Sequence, residues 1–326
     1  QFISSSPAHF LFLPYSNMMG LDIVYIALES VITVLAILGN VVVICVMRLN
    51  PAFQKTTFYF VVSLAVADIG VGLVTPVAIV LILGLEILYD ICLFMCCLLV
   101  IFTQASIISL LAIAIDRYLR IKLLTRYNMI ITKKRICMAL GITWLLSVLL
   151  GITPMFGWAE EREKNSSFVQ CKFTRVMKME FLTYLNFFIG TLVPLVVMLA
   201  LYAKIFWIIR VKLRQCSRNV KGQGIFFRKE FRMAKSLALV LFLFAVCWLP
   251  MCIMNCIQHF YPTFKMQKYT LYAAILLSHS NSVINPIVYT FRIKKFRKTC
   301  IQILRNYILR VDPEKNTSYR LSTFAV

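Results

Sequence analysis

The chain has 326 residues, of which 60% are hydrophobic and 15% charged, with a formal net charge of +22 and a mean hydropathy of +0.82. This is too apolar for a soluble domain of that length and points to an integral membrane protein. The positive excess is not a nucleic-acid signature, because the basic residues hug the ends of apolar runs and no nucleic-acid-binding motif accompanies them.

Seven apolar runs, over 21–47, 57–83, 92–116, 136–156, 181–209, 233–260 and 267–290, each reach the roughly 20 residues that cross a bilayer. The expected architecture is all-α: a seven-transmembrane helix bundle over 21–290, after an extracellular N-terminus over 1–20. A short amphipathic membrane-surface helix over 291–304 and a cytoplasmic tail over 305–326 follow. Basic clusters around Arg117, Arg120 and Lys122, around Arg228, Lys229 and Arg232, and at Arg292, Lys294 and Lys295 mark the cytoplasmic side. The N-terminus is then outside and the C-terminus inside, in a multi-pass protein of the plasma membrane. The first 20 residues lack a basic n-region and a small-residue cleavage site, so a trimmed N-terminus without a signal peptide is expected.

A charge at bilayer depth costs roughly 2.5–3.5 kcal/mol on insertion scales, so polar residues inside the runs are the place to look for function. The first span carries Glu29 and Asn40, and the second carries Asp68. Asp68, with Ser106 in the third span and Asn281 and Asn285 in the seventh, makes either an interhelical hydrogen-bond network or a pocket for a small cation such as sodium. Cys92 opens the third span, and Cys171 lies in the long second outside loop, where an oxidising compartment permits a disulfide between them. Asp116-Arg117-Tyr118 closes the third span and Glu230 opens the sixth on the same side; these are either an interhelical ion pair or two solvated helix ends. Asn165-Ser166-Ser167 is a glycosylation sequon in the same outside loop as Cys171.

Proline interrupts the later runs, at Pro194 in the fifth, at Pro250 after Cys247-Trp248-Leu249 in the sixth, and in Asn285-Pro286-Ile287-Val288-Tyr289 in the seventh. Each proline removes an N–H and makes a hinge. Beyond the last span, Phe291, Ile293, Phe296, Ile301 and Leu304 recur at near-helical spacing among basic residues, as in a helix lying on the inner membrane surface. Cys300 within it is a candidate for palmitoylation or a plain packed cysteine.

Some ligand and activity classes are excluded at this level. The third span has no acid between Cys92 and Ile115 to meet a cationic amine, and the last span has no interior lysine for a retinal Schiff base. Thr103, Asn186, Asn255, Ser278 and His279 in the outer half, with Glu29, suit an uncharged, hydrogen-bonding, planar ligand. An enzyme is not expected and no cofactor is implied, because no zinc-like Cys or His spacing and no glycine-rich phosphate loop is present.

Taken in order, Asn40, Asp68 after Leu64-Ala65-Val66-Ala67, the Asp116-Arg117-Tyr118 triplet, Trp144, Pro194 with Tyr202, Trp248 with Pro250, and Asn285 to Tyr289 resemble the signature of the rhodopsin-like G-protein-coupled receptors. The stretches Thr57-Phe58-Tyr59-Phe60, Leu110-Leu111-Ala112-Ile113-Ala114, Thr153-Pro154-Met155-Phe156-Gly157-Trp158, Ala234-Lys235-Ser236-Leu237 and Leu276-Leu277-Ser278-His279 are similar to the adenosine receptors, most of all to their type 3 subtype.

That resemblance implies a receptor for extracellular adenosine. Asn255 would hold the adenine amine and ring nitrogen, Phe173 would stack on the purine, and Thr103, Ser278 and His279 would meet the ribose, with Glu29 orienting His279. Trp248, Met251 and Ile275 complete the implied ligand set. Asp116, Arg117, Tyr118, Glu230, Tyr202 and Tyr289 would couple it to a heterotrimeric G protein of the inhibitory class, lowering cyclic AMP. Arrestin, receptor kinases acting on tail sites such as Ser318, Ser322 or Thr323, and membrane lipids are further implied partners. The chain departs from the family pattern at Cys252, Thr174, Leu182 and Gln104, and the path from Asp68 to Pro76 is one residue short. The competing readings are a rhodopsin-like receptor for another nucleoside, a nucleotide or a lipid, and, less compatible with an odd number of spans, a transporter or channel.

Overall fold

The computed structural model describes residues 20–49, 56–76, 79, 86–161, 168–171, 173–219, 221–264, 266–292, 294–303 and 305. Long helices dominate it: α1 (Gly20–Leu49), α2 (Thr56–Val74), α3 (Tyr89–Leu123) and α4 (Lys133–Ile152). They continue with α5, π-helical over Phe181–Leu192 and α-helical over Val193–Asn219, then α6 (Lys221–Phe260), α7 (Lys268–Arg292) and the short α8 (Lys294–Ile303). α3 is the central post, packed on α2, α4 and α5, while α7 closes the bundle between α1 and α6.

The bundle is apolar outside and polar within, the reverse of a soluble protein. Leu73 is 64% and Phe242 63% exposed, whereas Glu29, Asn40 and Asp68 are fully buried. Lipid solvates the leucines, and the polar groups find partners only between helices. Six of the seven long helices are apolar and long enough to cross a membrane by composition alone. The seventh, α7, is 25 residues long but strings Ser278, His279, Ser280, Asn281, Ser282 and Asn285 along its length. It is the most functionalised span and therefore the least hydrophobic.

Several boundaries differ from those read in the sequence. The second run, expected over 57–83, is helical as α2 only over Thr56–Val74. Pro76 is the cause: it lacks an N–H, and its ring disfavours the helical region for Thr75, which turns back to bond Val71 O through both its N–H and its hydroxyl, at 2.9 and 2.8 Å. At the inner side α3, α5 and α6 overrun their expected ends. At 40 residues α6 is about 60 Å long, twice the thickness of the hydrocarbon core, so its basic N-terminal half stands in the cytoplasm. The surface helix starts at Lys294 rather than 291; Phe291 belongs to α7 and is exposed, while Phe296 is buried against the ring of Tyr289 at 6.1 Å.

Short elements shape the outer mouth. β1 (Glu86–Leu88) pairs antiparallel with β2 (Phe168–Gln170), Glu86 opposite Gln170 and Leu88 opposite Phe168. The disulfide Cys92–Cys171 closes directly beyond this ladder and ties the second outer loop to the top of α3. After α4, the tight turn Thr153–Phe156 ends on Gly157 at φ 114°, a conformation a Cβ would strain. Asn165 lies outside the described residues, as do Ile293, Leu304, Ser318, Ser322 and Thr323.

Candidate functional site

The polar residues of the bundle sort by depth into three groups, each joined across helices. In the outer half, α1 and α7 meet where Glu29 accepts a hydrogen bond from His279 Nδ1, with both side chains buried. A carboxylate on Nδ1 fixes the orientation of the imidazole and turns Nε2 away from the bond. Ser278, the preceding residue, donates its hydroxyl to Ile275 O at 2.8 Å, and Thr103 on α3 donates to Leu99 O at 2.7 Å. Both hydroxyls have committed their proton to their own helix, so what they offer outward is lone pairs.

Asn255, Met251 and Trp248 lie along one stretch of α6, all half-buried. Asn255 is two turns outward of Trp248, roughly 10 Å along the axis. Trp248 Nε1 is buried without a hydrogen-bond partner among the described residues. Phe173 opens the helical turn Phe173–Val176 directly after Cys171 and packs on the buried cluster of Cys92, Cys96, Met177, Phe181 and Leu182. The disulfide thus holds Phe173 at the mouth. Cys96 adds a third sulfur within 4.8 Å of the other two, but with Cys92 and Cys171 joined to each other this is a disulfide with a neighbour and not a metal centre.

One partnership in this layer escaped the sequence. Gln104 on α3 is fully buried and donates its Nε2 to Asn186 Oδ1 on α5 at 2.7 Å. The π-helical stretch of α5 makes it possible: its wider turns carry Asn186, whose backbone carbonyl accepts from Thr191 Oγ1 at 3.0 Å, five residues on. Gly190 leaves the space, since a Cβ there would stand 2.7 Å from Gln104 Nε2. A lone glycine in an apolar run carried no signal of a bulge.

In the middle layer, Asp68 is fully buried and accepts from Ser106 Oγ at 3.0 Å, Ser282 Oγ at 3.3 Å and Asn285 Nδ2 at 2.7 Å. Asn40 joins α1 to the same place by donating to Ser282 O at 2.8 Å. Asn281 is buried, but the hydrogen bonds to Asp68 come from Ser282, the next residue on α7. One residue rotates a helical side chain by about 100°, which sequence alone could not resolve without knowing which face of α7 meets α2.

The inner layer is a buried ion cluster. Arg117 lies 3.1 Å from Asp116 and 3.6 Å from Glu230, with every member under 7% exposed. Of the two alternatives open in the sequence, solvated helix ends and an interhelical pair, the structure has the second. Arg120, not singled out beforehand, meets Glu230 at 3.2 Å and also lies over the Tyr127 ring at 5.6 Å. Asp116 accepts from Thr57 at 2.7 Å and from the Tyr127 hydroxyl. Tyr118 is half-buried beside Lys122, whose Nζ stands 5.6 Å from its ring. Tyr202 and Tyr289 are buried in the adjoining apolar core, and Cys300 of α8 packs against it, half-buried, with burial pushing its thiol pKa up.

Known proteins fit this arrangement. The family model described as 7 transmembrane receptor (rhodopsin family) matches residues 39–289. The dog (Canis lupus familiaris) adenosine receptor A3 is 53% identical over 293 residues, covering 88% of this chain and 93% of the relative. The sheep (Ovis aries) and cattle (Bos taurus) adenosine receptors A3 are each 53% identical over 299 residues, covering 90% of this chain and 93% of each relative.

Proposed function

Because this chain belongs to the rhodopsin family of seven-transmembrane receptors, and within it to the adenosine receptors, we propose that it binds extracellular adenosine and signals to a heterotrimeric G protein of the inhibitory class. The N-terminus and the Glu29–His279 pair then face outside, and the Arg117–Glu230 cluster faces the cytoplasm.

The observation that carries the ligand assignment is the buried Glu29–His279 pair beside Ser278. A histidine held by a carboxylate presents Nε2 in a fixed direction, and with the lone pairs of Thr103 and Ser278 it suits the hydroxyls of a ribose. Asn255, with one donor and one acceptor on its amide, matches the amine and ring nitrogen of adenine, and Phe173 offers a face for the purine. Trp248, Met251 and Ile275 supply the apolar floor and wall. This set is neutral apart from the paired Glu29, so it suits a nucleoside better than a charged ligand.

Signalling follows from differential affinity: adenosine shifts the bundle only as far as it binds one conformation better than the other. In the described conformation Arg117 and Arg120 both hold Glu230, closing α6 against α3. Release of that pair would open the inner cleft for the G protein. Asp68, with hydroxyl and amide oxygens around it, has the hard oxygen donors that suit a sodium ion, which would favour the inactive packing of α2, α3 and α7.

The test is radiolabelled adenosine-analogue binding and cyclic AMP measurement in cells expressing the chain and its Asn255→Ala variant. Affinity should fall at least about tenfold, roughly 1.4 kcal/mol, in the variant. Unchanged binding removes Asn255 from the site.

A further inference from the structure

Above the Glu29–His279 pair, α1 and α7 are joined a second time by residues that the ligand reading leaves unused. Asp22, in the first turn of α1, is buried and accepts from the Tyr272 hydroxyl at 2.8 Å. Lys268, the first residue of α7, stands 2.7 Å from the same carboxylate and lies over the Tyr272 ring at 5.5 Å. Tyr25, one turn further along α1, packs its ring 4.5 Å from that of Tyr272.

The two joints share one register. Asp22 meets Tyr272 and Glu29 meets His279, each across a separation of 250 residues, so seven residues on α1 match seven on α7. Two turns of helix, about 10.5 Å, separate the joints on both sides. Both helices run inward from the outer surface, so an axial slip or rotation of α7 that breaks the upper joint also displaces the lower. Lys268 pins the very end of α7, where backbone hydrogen bonds are fewest and the helix is freest to fray.

We infer that Asp22 and Lys268 are positioning residues for the ribose end of the ligand: their ion pair fixes the outer end of α7 on α1, and so the height and rotation at which His279 is presented. The inference rests on the adenosine reading given above. Neither residue touches the ligand; each acts through Tyr272 and the shared register. Lys268 is half-exposed at 49%, so its loss costs little global stability and reports on position.

The experiment measures binding to full-length chain in cell membranes, with surface expression matched, using adenosine and a ribose-free xanthine as probes. Lys268→Gln should weaken adenosine about threefold to tenfold and the xanthine less than about twofold, the range of coupling seen between residues in contact. Lys268→Asp, which sets two carboxylates together, should lose more. The double reversal Asp22→Lys with Lys268→Asp should recover adenosine affinity to within about threefold of the original. Equal losses for both probes in Lys268→Gln, or no loss for either, overturn the positioning role, as does a double reversal no better than Lys268→Asp. Failure of the unaltered chain to bind adenosine, or full binding by Asn255→Ala, overturns the nucleoside reading instead.

Discussion

Gln104 and Asn186 clasp α3 to α5 at 2.7 Å in a place where neither has water to fall back on, Gln104 being fully buried. Asn186→Ala should therefore cost about 1–3 kcal/mol, the penalty of a buried amide left unpaired, whereas Gln104→Leu with Asn186→Leu should be milder than the single change. Thermal unfolding of detergent-solubilised receptor checks both, and an additive double variant would contradict the pairing.

Gly190 is the steric condition for that clasp. Gly190→Ala places a methyl 2.7 Å from Gln104 Nε2 and should destabilise by about 1–3 kcal/mol. Adding Gln104→Ala should relieve part of the loss. If the two losses simply add, Gly190 is not there to admit Gln104.

Glu230 is shared by two arginines, so its neutralisation frees both. Glu230→Gln should raise ligand-independent signalling, read as lowered cyclic AMP without agonist, more than Arg120→Ala does, because Arg117 still reaches Glu230 in the latter. Removing one partner of a buried pair typically costs about 3–5 kcal/mol, so Glu230→Gln should also lower the melting temperature of the inactive receptor. Equal basal activity in the two variants would count against a shared latch.

At Asp68 the hydrogen bonds name Ser282 as a partner alongside Ser106 and Asn285. Sodium should lower agonist affinity in the unaltered chain, and this effect should vanish in Asp68→Asn and weaken in Ser282→Ala. Radioligand displacement with and without sodium chloride, against a choline control, decides it. Persistence of the sodium effect in Asp68→Asn would place the ion elsewhere.

The disulfide holds Phe173 at the mouth through the cluster around Met177 and Phe181. Cys171→Ser should cost about 2–5 kcal/mol and abolish specific binding at the surface. Phe173→Ala should weaken binding with stability nearly unchanged, since Phe173 is only half-buried. A matching loss of stability in Phe173→Ala would assign the ring to packing alone.

Much of the architecture was legible because the bilayer imposes a one-dimensional rule. A run near 20 apolar residues is a span, basic flanks give its direction, and every polar residue inside demands a partner. Glu29, Asp68, Asn255, Asp116, Arg117 and Glu230 stood out on that ground. Where the reading missed, the missing quantity was rotational or steric. Ser282 rather than Asn281 faces Asp68 because of one residue's turn on α7; Arg120 meets Glu230 because it lies one turn beyond Arg117; Pro76 ended α2 early.

The sequence by itself determined the seven crossings, their order, the family and the residues too polar for lipid to tolerate, because each of these depends on composition along the chain. Only the tertiary structure decided which of those residues meet: Glu29 with His279, Gln104 with Asn186, Arg117 and Arg120 with Glu230, and Asp22 with both Tyr272 and Lys268. Such meetings depend on the azimuth and height of each helix against its neighbours, set by packing between residues up to 250 positions apart. No local pattern in a single span encodes them.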